Sequence, residues 1–284
     1  MAEIRKFFIK VLYDVEVRSS TLSFIFSAVN NCLVFIVERR YLSTLITLLL
    51  SVILSVCSHN WQQRWISAQA ALLGGIFTNA FMIVITTENL QIALLSMYIA
   101  AVSFFHYGEF LVTAIANRHD LNSSSYLLDH SKAYWFAQGA SCIEYGIECY
   151  LIPMIKLNLI SYIGLILVII GDTVRKLAML HAQGGFTHLI AIERRPNHEL
   201  VTNGIYSFMR HPGYLGWLIW CIGTQIVVCN PLCLIAFSFI GWKFFDERIY
   251  WEERFLIKFF GEQYIEYQKK VPVGIPLIKG YITD

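Results

Sequence analysis

Charge is what this chain has least of. Only 15% of its 284 residues are Asp, Glu, Lys or Arg, against roughly a quarter in an ordinary soluble domain. A soluble fold of this size could not keep its surface wet with so few charges, so that class is excluded. The net charge is only +2, which offers no basic surface to a nucleic acid. Internal repeats and low-complexity linkers are absent. So is any cluster with metal-ligand spacing: Cys229 and Cys233 flank one turn, but no further ligand lies near, and no metal is assigned. The seven cysteines are an odd number and sit mostly in apolar runs, as reduced thiols packed like small apolar side chains do. The first nineteen residues carry too many charges for a signal peptide, and no small-residue cleavage site follows.

What the chain has instead is hydrophobicity, at 56% of residues, arranged in runs long enough to cross a bilayer as helices. The expected fold is an all-α integral membrane protein with eight spans, near 20–37, 42–58, 66–86, 90–115, 133–152, 157–178, 213–229 and 232–249. Asn30 and Asn31 make the first the least apolar. Only Asn230-Pro231 interrupts the last two, which predicts a tight hairpin. With eight spans both termini share one side. That side receives 19 of the 22 Lys and Arg, from Arg5, Lys6 and Lys10 to Lys279, and leaves Arg39, Arg40 and Lys156 opposite. The excess predicts cytosolic termini. The chain reads as one domain, 1–284, with six spans over about 20–178 and a cytosolic catalytic region over about 179–284.

Two cytosolic segments are long. Residues 179–212 hold His181, Gly184-Gly185, His188, Pro196 and His198 without helical periodicity. They also hold Phe186, Leu189, Ile190, Leu200 and Val201, which predicts an ordered cap rather than a disordered link. The tail continues span eight through Tyr250–Phe260, and Gly261–Lys270 alternates Tyr264 and Tyr267 with charged residues, as a helix at a headgroup interface would. Pro272 and Pro276 end it.

The chemistry is expected in two clusters. Asn203-Gly204-Ile205-Tyr206 precedes Arg210-His211-Pro212-Gly213-Tyr214, where proline suits the first turn of span seven and the helix dipole presents its positive end. Arg and Tyr at a span end are commonly no more than headgroup anchors. An anchor leaves the Asn-Gly turn and second tyrosine unexplained. The other cluster, Asp246-Glu247-Arg248 with Glu252-Glu253-Arg254, follows span eight.

As a set, residues 203–206, 210–216, 252–253 and 260–272 resemble the C-terminal pattern of the isoprenylcysteine carboxyl methyltransferases, and Gly223–Cys233 looks like the eukaryotic members. The resemblance is detailed over about 170–280. It implies methyl transfer from S-adenosylmethionine to the C-terminal carboxylate of a prenylated cysteine, on CaaX-processed proteins, in the endoplasmic reticulum membrane. An α-carboxyl group with a pKa near ~3.5 is already an anionic nucleophile, so the site needs alignment and dehydration rather than a general base. The resemblance puts Arg248 on the substrate carboxylate and Glu252 on the cofactor. His198, Glu199, Leu200, Val201, Tyr206, His211, Pro212, Gly213 and Tyr214 match the cofactor-binding stretches. Glu199 departs from the small polar residue expected there.

For Arg248 the bland alternative is an i,i+4 pair with Glu252. Rival activities are a phospholipid N-methyltransferase, whose amine nucleophile has no use for that arginine, and an NADPH-dependent sterol reductase. A transporter would show an inverted repeat, and none is present. Glu144, Glu148 and Asp172 lie in or near spans, and Asp172 has the spacing of a structural pair with Arg175 or Lys176.

Overall fold

The structure, a computed structural model, describes residues 14–38, 41–57, 61–129, 131–195 and 198–282. Arg5, Lys6, Lys10, Arg39, Arg40 and Pro196 lie outside them. Among the described residues there are nine α-helices and no strand: α1 (Val15–Glu38), α2 (Tyr41–Cys57), α3 (Trp61–Thr86), α4 (Leu90–Ala116), α5 (Lys132–Leu151), α6 (Asn158–Ala182), α7 (Pro212–Val227), α8 (Pro231–Phe260) and α9 (Glu262–Lys270). The first eight fall on the eight expected stretches. Val15–Ile36, Gln63–Thr86 and Leu90–Ala116 are long and apolar enough to cross a membrane by length and composition. α8 continues past the apolar run that ends near 249 and is helical to Phe260, as the tail's reading as a continuation of span eight expects. Its charged residues end the apolar run without ending the helix.

The chain forms two compact units. The first comprises residues up to Ile115 with Leu121–Gly139 and Ile147–Asn158. There α1 packs chiefly on α3, with α2 against both. Val17, Ile66, Ala70, Leu73, Phe110 and Tyr126 share its core. Backbone groups are satisfied within each helix, as a bilayer requires, so side-chain hydrogen bonds are left to join one helix to another. Asn79 Nδ2 donates to Asn31 Oδ1 at 2.8 Å, and Asn31 Nδ2 to the Ser27 carbonyl at 2.8 Å. Asn31, which weakened the first run on paper, is therefore fully buried and bonded between helices. His106 lies 2.8 Å from both the Tyr126 carbonyl and the Tyr134 hydroxyl, which gives it a structural place. Glu148 and Lys156 form a buried pair at 2.6 Å.

The second unit comprises Ala116–Asp120, Ala140–Gly146 and Leu159–Asp284. Its scaffold is the crossing of α6 and α7. A side chain at Gly171 would run into the Trp220 and Gly216 backbone, and one at Gly164 into Val227 and Gly223. Backbones this close are possible only where small residues face each other, the usual basis of helix packing in lipid. The α7–α8 hairpin turns at Val228–Asn230, with Pro231 opening α8. Glu144 caps α8, its two oxygens accepting from the N–H groups of Leu232 and Cys233 at 2.7 Å each. An acid within an apolar stretch is thus spent on a helix start, where the dipole favours it. Asp172 pairs with Lys176, as its spacing predicts.

Candidate active site

The described residues of the 183–211 connection fold over the start of α7 and the C-terminal end of α8. Asn117 Nδ2 donates to the Phe186 carbonyl at 3.0 Å, Arg195 pairs with Asp120 at 2.9 Å, and Arg194 Nη1 donates to the Phe259 carbonyl at 2.9 Å. These three ties make it an ordered cap. Within it, Gly204 sits at φ +57 with the His181 ring where a Cβ would stand. Only glycine meets both demands there, which explains the Asn203-Gly204 turn and the delivery of Tyr206 that follows it.

Beneath the cap lies an open-mouthed cavity of about 100 Å³. Of the residues singled out in the sequence, the cap contributes His198, Glu199, Leu200, Val201 and Tyr206 to its wall. The helices contribute His211, Gly213, Tyr214 and Glu252. Pro212 stands behind the wall as the buried first residue of α7. Arg248 is also not in the wall, but it is tied to it: Nε donates to the Tyr214 hydroxyl at 2.9 Å, and Nη2 to the His188 carbonyl at 2.6 Å. The same Tyr214 hydroxyl donates to Glu252 Oε2. Arg248 and Glu252 are thus joined through a phenol rather than by the i,i+4 ion pair weighed above. The guanidinium also lies over the Tyr214 and Phe244 rings, 5.4 and 5.9 Å from their centroids. Nη1 has no protein acceptor among the described residues, so one edge of the cation is left for a ligand.

The wall contains further residues that sequence reasoning did not assign to the site. Leu256 and Phe260 line it together with Glu252. They are one and two i+4 steps along the same helix, a signal that is readable once α8 is known to continue. Tyr264 and Tyr267 also line it. They were expected at a headgroup interface; instead α9 turns both inward, buried, because their hydroxyls find Glu253 Oε1 at 3.1 Å and the Tyr206 carbonyl.

Electrostatics sorts these groups. Burial, with the charges of Arg195 and Arg194, lowers the His198 imidazole below its ordinary 6.5. The ring is then neutral at pH 7, and its buried Nδ1 has no protein partner among the described residues. Burial, reinforced by the Glu252 charge, raises the Tyr206 phenol, and burial with the Glu253 charge raises that of Tyr264. Both remain hydrogen-bond donors. Burial works to raise Glu253, but hydrogen bonds and charge from His211 and Arg210 outweigh it and hold the carboxyl below its ordinary 4.5. Among the described residues no group of three or more His, Cys, Asp or Glu could hold a metal ion.

The unpartnered His198 Nδ1, the Glu252 carboxylate and the aromatic wall suit a ligand that carries donors, a flat ring and positive charge. Fold and cavity together define an all-helical membrane protein with a polar and aromatic pocket among its C-terminal helices. The pattern defining the "Isoprenylcysteine carboxyl methyltransferase (ICMT) family" matches residues 164–258. The protein-S-isoprenylcysteine O-methyltransferase of Xenopus laevis is 45% identical over 216 residues, covering 76% of this chain and 74% of that protein. The enzyme of the same name from Tribolium castaneum is 42% identical over 218 residues, covering 76% and 77%. A solved structure of the eukaryotic intramembrane Ras methyltransferase of this family matches with a TM-score of 0.90 at 34% identity, over 94% of this chain and 99% of that one. The chain belongs to the isoprenylcysteine carboxyl methyltransferase family.

Proposed function

We infer that this protein is a protein-S-isoprenylcysteine O-methyltransferase, esterifying the C-terminal carboxylate of prenylated, CaaX-processed proteins. The observation that carries the reading is the pair of tasks meeting at one phenol. Tyr214 joins Glu252 in the cavity wall to Arg248 beside it, whose Nη1 is unspent.

S-adenosylmethionine, when bound, supplies an electrophilic methyl group that a carboxylate oxygen can accept, leaving a neutral thioether. Everything else falls to the chain. Arg248 holds the substrate carboxylate through its planar cation, with two donors already fixed by Tyr214 and His188 so that the third direction is preset. Glu252 takes hydroxyl or ammonium donors of the cofactor, and neutral His198 takes one more. Leu200, Val201 and Gly213 shape the wall, and Tyr206, His211 and Tyr214 give it aromatic faces suited to a sulfonium. Pro212 fixes the start of α7 behind them. Alignment and exclusion of water are large catalytic effects in such a transfer, and the cap supplies both.

The same reading takes all eight long helices as spans, with both termini cytosolic in the endoplasmic reticulum membrane. A prenyl chain partitions into the bilayer by about 0.8 kcal/mol per buried methylene, so membrane residence concentrates the substrate. Purified membranes given labelled S-adenosylmethionine and N-acetyl-S-farnesylcysteine should form the labelled methyl ester. Absence of transfer by folded protein overturns the assignment.

A further inference from the structure

Arg210 stands in the cavity wall, yet its guanidinium is spent on the protein. Nε donates to Glu253 Oε1 at 2.8 Å, Nη1 to the Val271 and Gln268 carbonyls at 2.5 and 3.3 Å, and Nη2 to the Lys279 carbonyl at 3.4 Å. Glu253 is the matching hub, fully buried. Its Oε1 also accepts from His211 Nε2 at 3.0 Å and from the Tyr264 hydroxyl at 3.1 Å. Its Oε2 accepts from Gln268 Nε2 at 3.0 Å and from the Tyr281 backbone N–H at 2.9 Å.

Residues 271–281 are thereby drawn against the start of α7. The Pro272 and Val273 carbonyls accept from the backbone N–H groups of Arg210 and His211 at 2.9 and 3.1 Å. Val273, Ile275 and Ile278 pack with Leu218, Phe245 and Ile249. Gly280, at φ +74, passes directly over the Glu253 carboxylate, where any Cβ would overlap Oε2. His211, Tyr264 and Arg210 all line the cavity, and all three hang on this one carboxylate.

We propose that Glu253 is a positioning residue for the methyl-donor site: it clamps Arg210, His211 and the 271–281 segment together, so that this segment is part of the active site. This deepens the methyltransferase reading and rests on it. Glu253 acts through the groups it holds, since every acceptor direction of its carboxylate is taken by the protein. All five of its partners are donors. An isosteric amide at this position must aim its NH2 at another donor, so Glu253→Gln removes function without changing shape.

The test uses the full chain in lipid nanodiscs. Glu253→Gln should weaken binding of S-adenosylhomocysteine, measured by calorimetry, by about ten- to a hundredfold, the worth of hydrogen bonds to a charged group. The KM for S-adenosylmethionine should rise in step, while that for N-acetyl-S-farnesylcysteine stays within about twofold. Hydrogen exchange should quicken over 271–281 and not in the body of α7. Glu253→Asp should recover part of the affinity, because it restores an acceptor. Should Glu253→Gln fail to fold, the Tyr281 pair decides: Tyr281→Pro deletes the N–H and should lose about fivefold in affinity, whereas Tyr281→Ala keeps it and should not. Unchanged homocysteine-product affinity in Glu253→Gln or Tyr281→Pro overturns the proposal. So does an equal rise in both KM values with no recovery by Asp, which would mark a merely structural residue. Failure of the wild type to bind S-adenosylhomocysteine overturns both readings together, which distinguishes it from failure of this one alone.

Discussion

Asn31 and Asn79 in the first unit, and Arg248 and His198 in the second, are all polar side chains drawn away from bulk water, and they are provided for differently. The first pair are neutral amides bonded to each other across α1 and α3. Ser20 and Tyr126 do the same at 2.7 Å. Glu148 and Lys156 form a buried charged pair there. Unanswered acceptors occur in the first unit too, Asn79 Oδ1 among them. In the second unit, though, charges are collected around a cavity, and beside it Arg248 Nη1 and His198 Nδ1 meet no protein group among the described residues. The difference teaches how to read polarity in a membrane protein. A buried polar group answered by a neighbour holds helices together, and one left partly unanswered beside a cavity marks where a ligand belongs.

The sharpest way to break that comparison is Arg248→Ala. If its open edge carries the substrate carboxylate, kcat should fall by about a hundred- to a thousandfold, the usual cost of one preorganised donor. Affinity for S-adenosylhomocysteine should change little. A loss of product affinity without a fall in kcat would move Arg248 from substrate to cofactor.

Next in size is Gly171→Val in α6. Its Cβ would meet the Trp220 and Gly216 backbone, which has no side-chain freedom with which to yield. Overpacking of this kind costs about 1–3 kcal/mol, and the melting temperature in detergent should fall accordingly. An unchanged melt would mean that the α6–α7 crossing tolerates separation.

How much of this could be read in advance depends on how local each signal is. Helix positions were legible because a run of apolar residues is a local property, and α1 to α8 lie where those runs lie. The continuation of α8 was legible too, since the charged and aromatic residues 250–260 carry span eight on to Phe260, just before Gly261. Glu252 and Tyr214 were legible from the family pattern, and their junction through one hydroxyl was not, since it depends on how α7 and α8 pack. Glu253 was the least legible. Its neighbour in sequence faces the cavity, and nothing local says that Gln268 and Tyr281 fold back to reach it. Tyr264 and Tyr267 were read as interfacial because alternation with charge gives a helix face without saying what that face meets.

Acid should test the same hub with a smaller effect. The Glu253 carboxyl, opposed by burial but held low by His211 and Arg210, has a folded pKa below its ordinary 4.5. A depressed carboxyl contributes stability that is fully present above the unfolded value and is lost as pH falls through the folded one. The melting-temperature gap between wild type and Glu253→Gln should therefore be constant from pH 7 to about 5 and shrink below about 4.5. Arg210, His211 and Tyr264 face the same carboxylate, so the comparison is made against the Gln variant rather than against neutral pH alone. A gap that persists into strong acid would show that charge on Glu253 is irrelevant to the clamp.

The smallest expected effect sharpens the contrast from the other side. Asn79 Nδ2 donates to Asn31 at 2.8 Å, while Asn79 Oδ1 is buried without a partner. Asn79→Ala removes one neutral interhelical bond and, with it, an unanswered acceptor, so gain and loss partly cancel. Bonds of this kind within membranes are worth about 0.6 kcal/mol on average, and the melt should shift by no more than that implies. The KM values for methyl donor and prenylcysteine should both match the wild type, because the bond joins α1 to α3 and touches no cavity residue. A change in either KM from this substitution would mean that polar groups in the first unit also serve the reaction, and the distinction between valences beside the cavity and those away from it would fail as a guide to function.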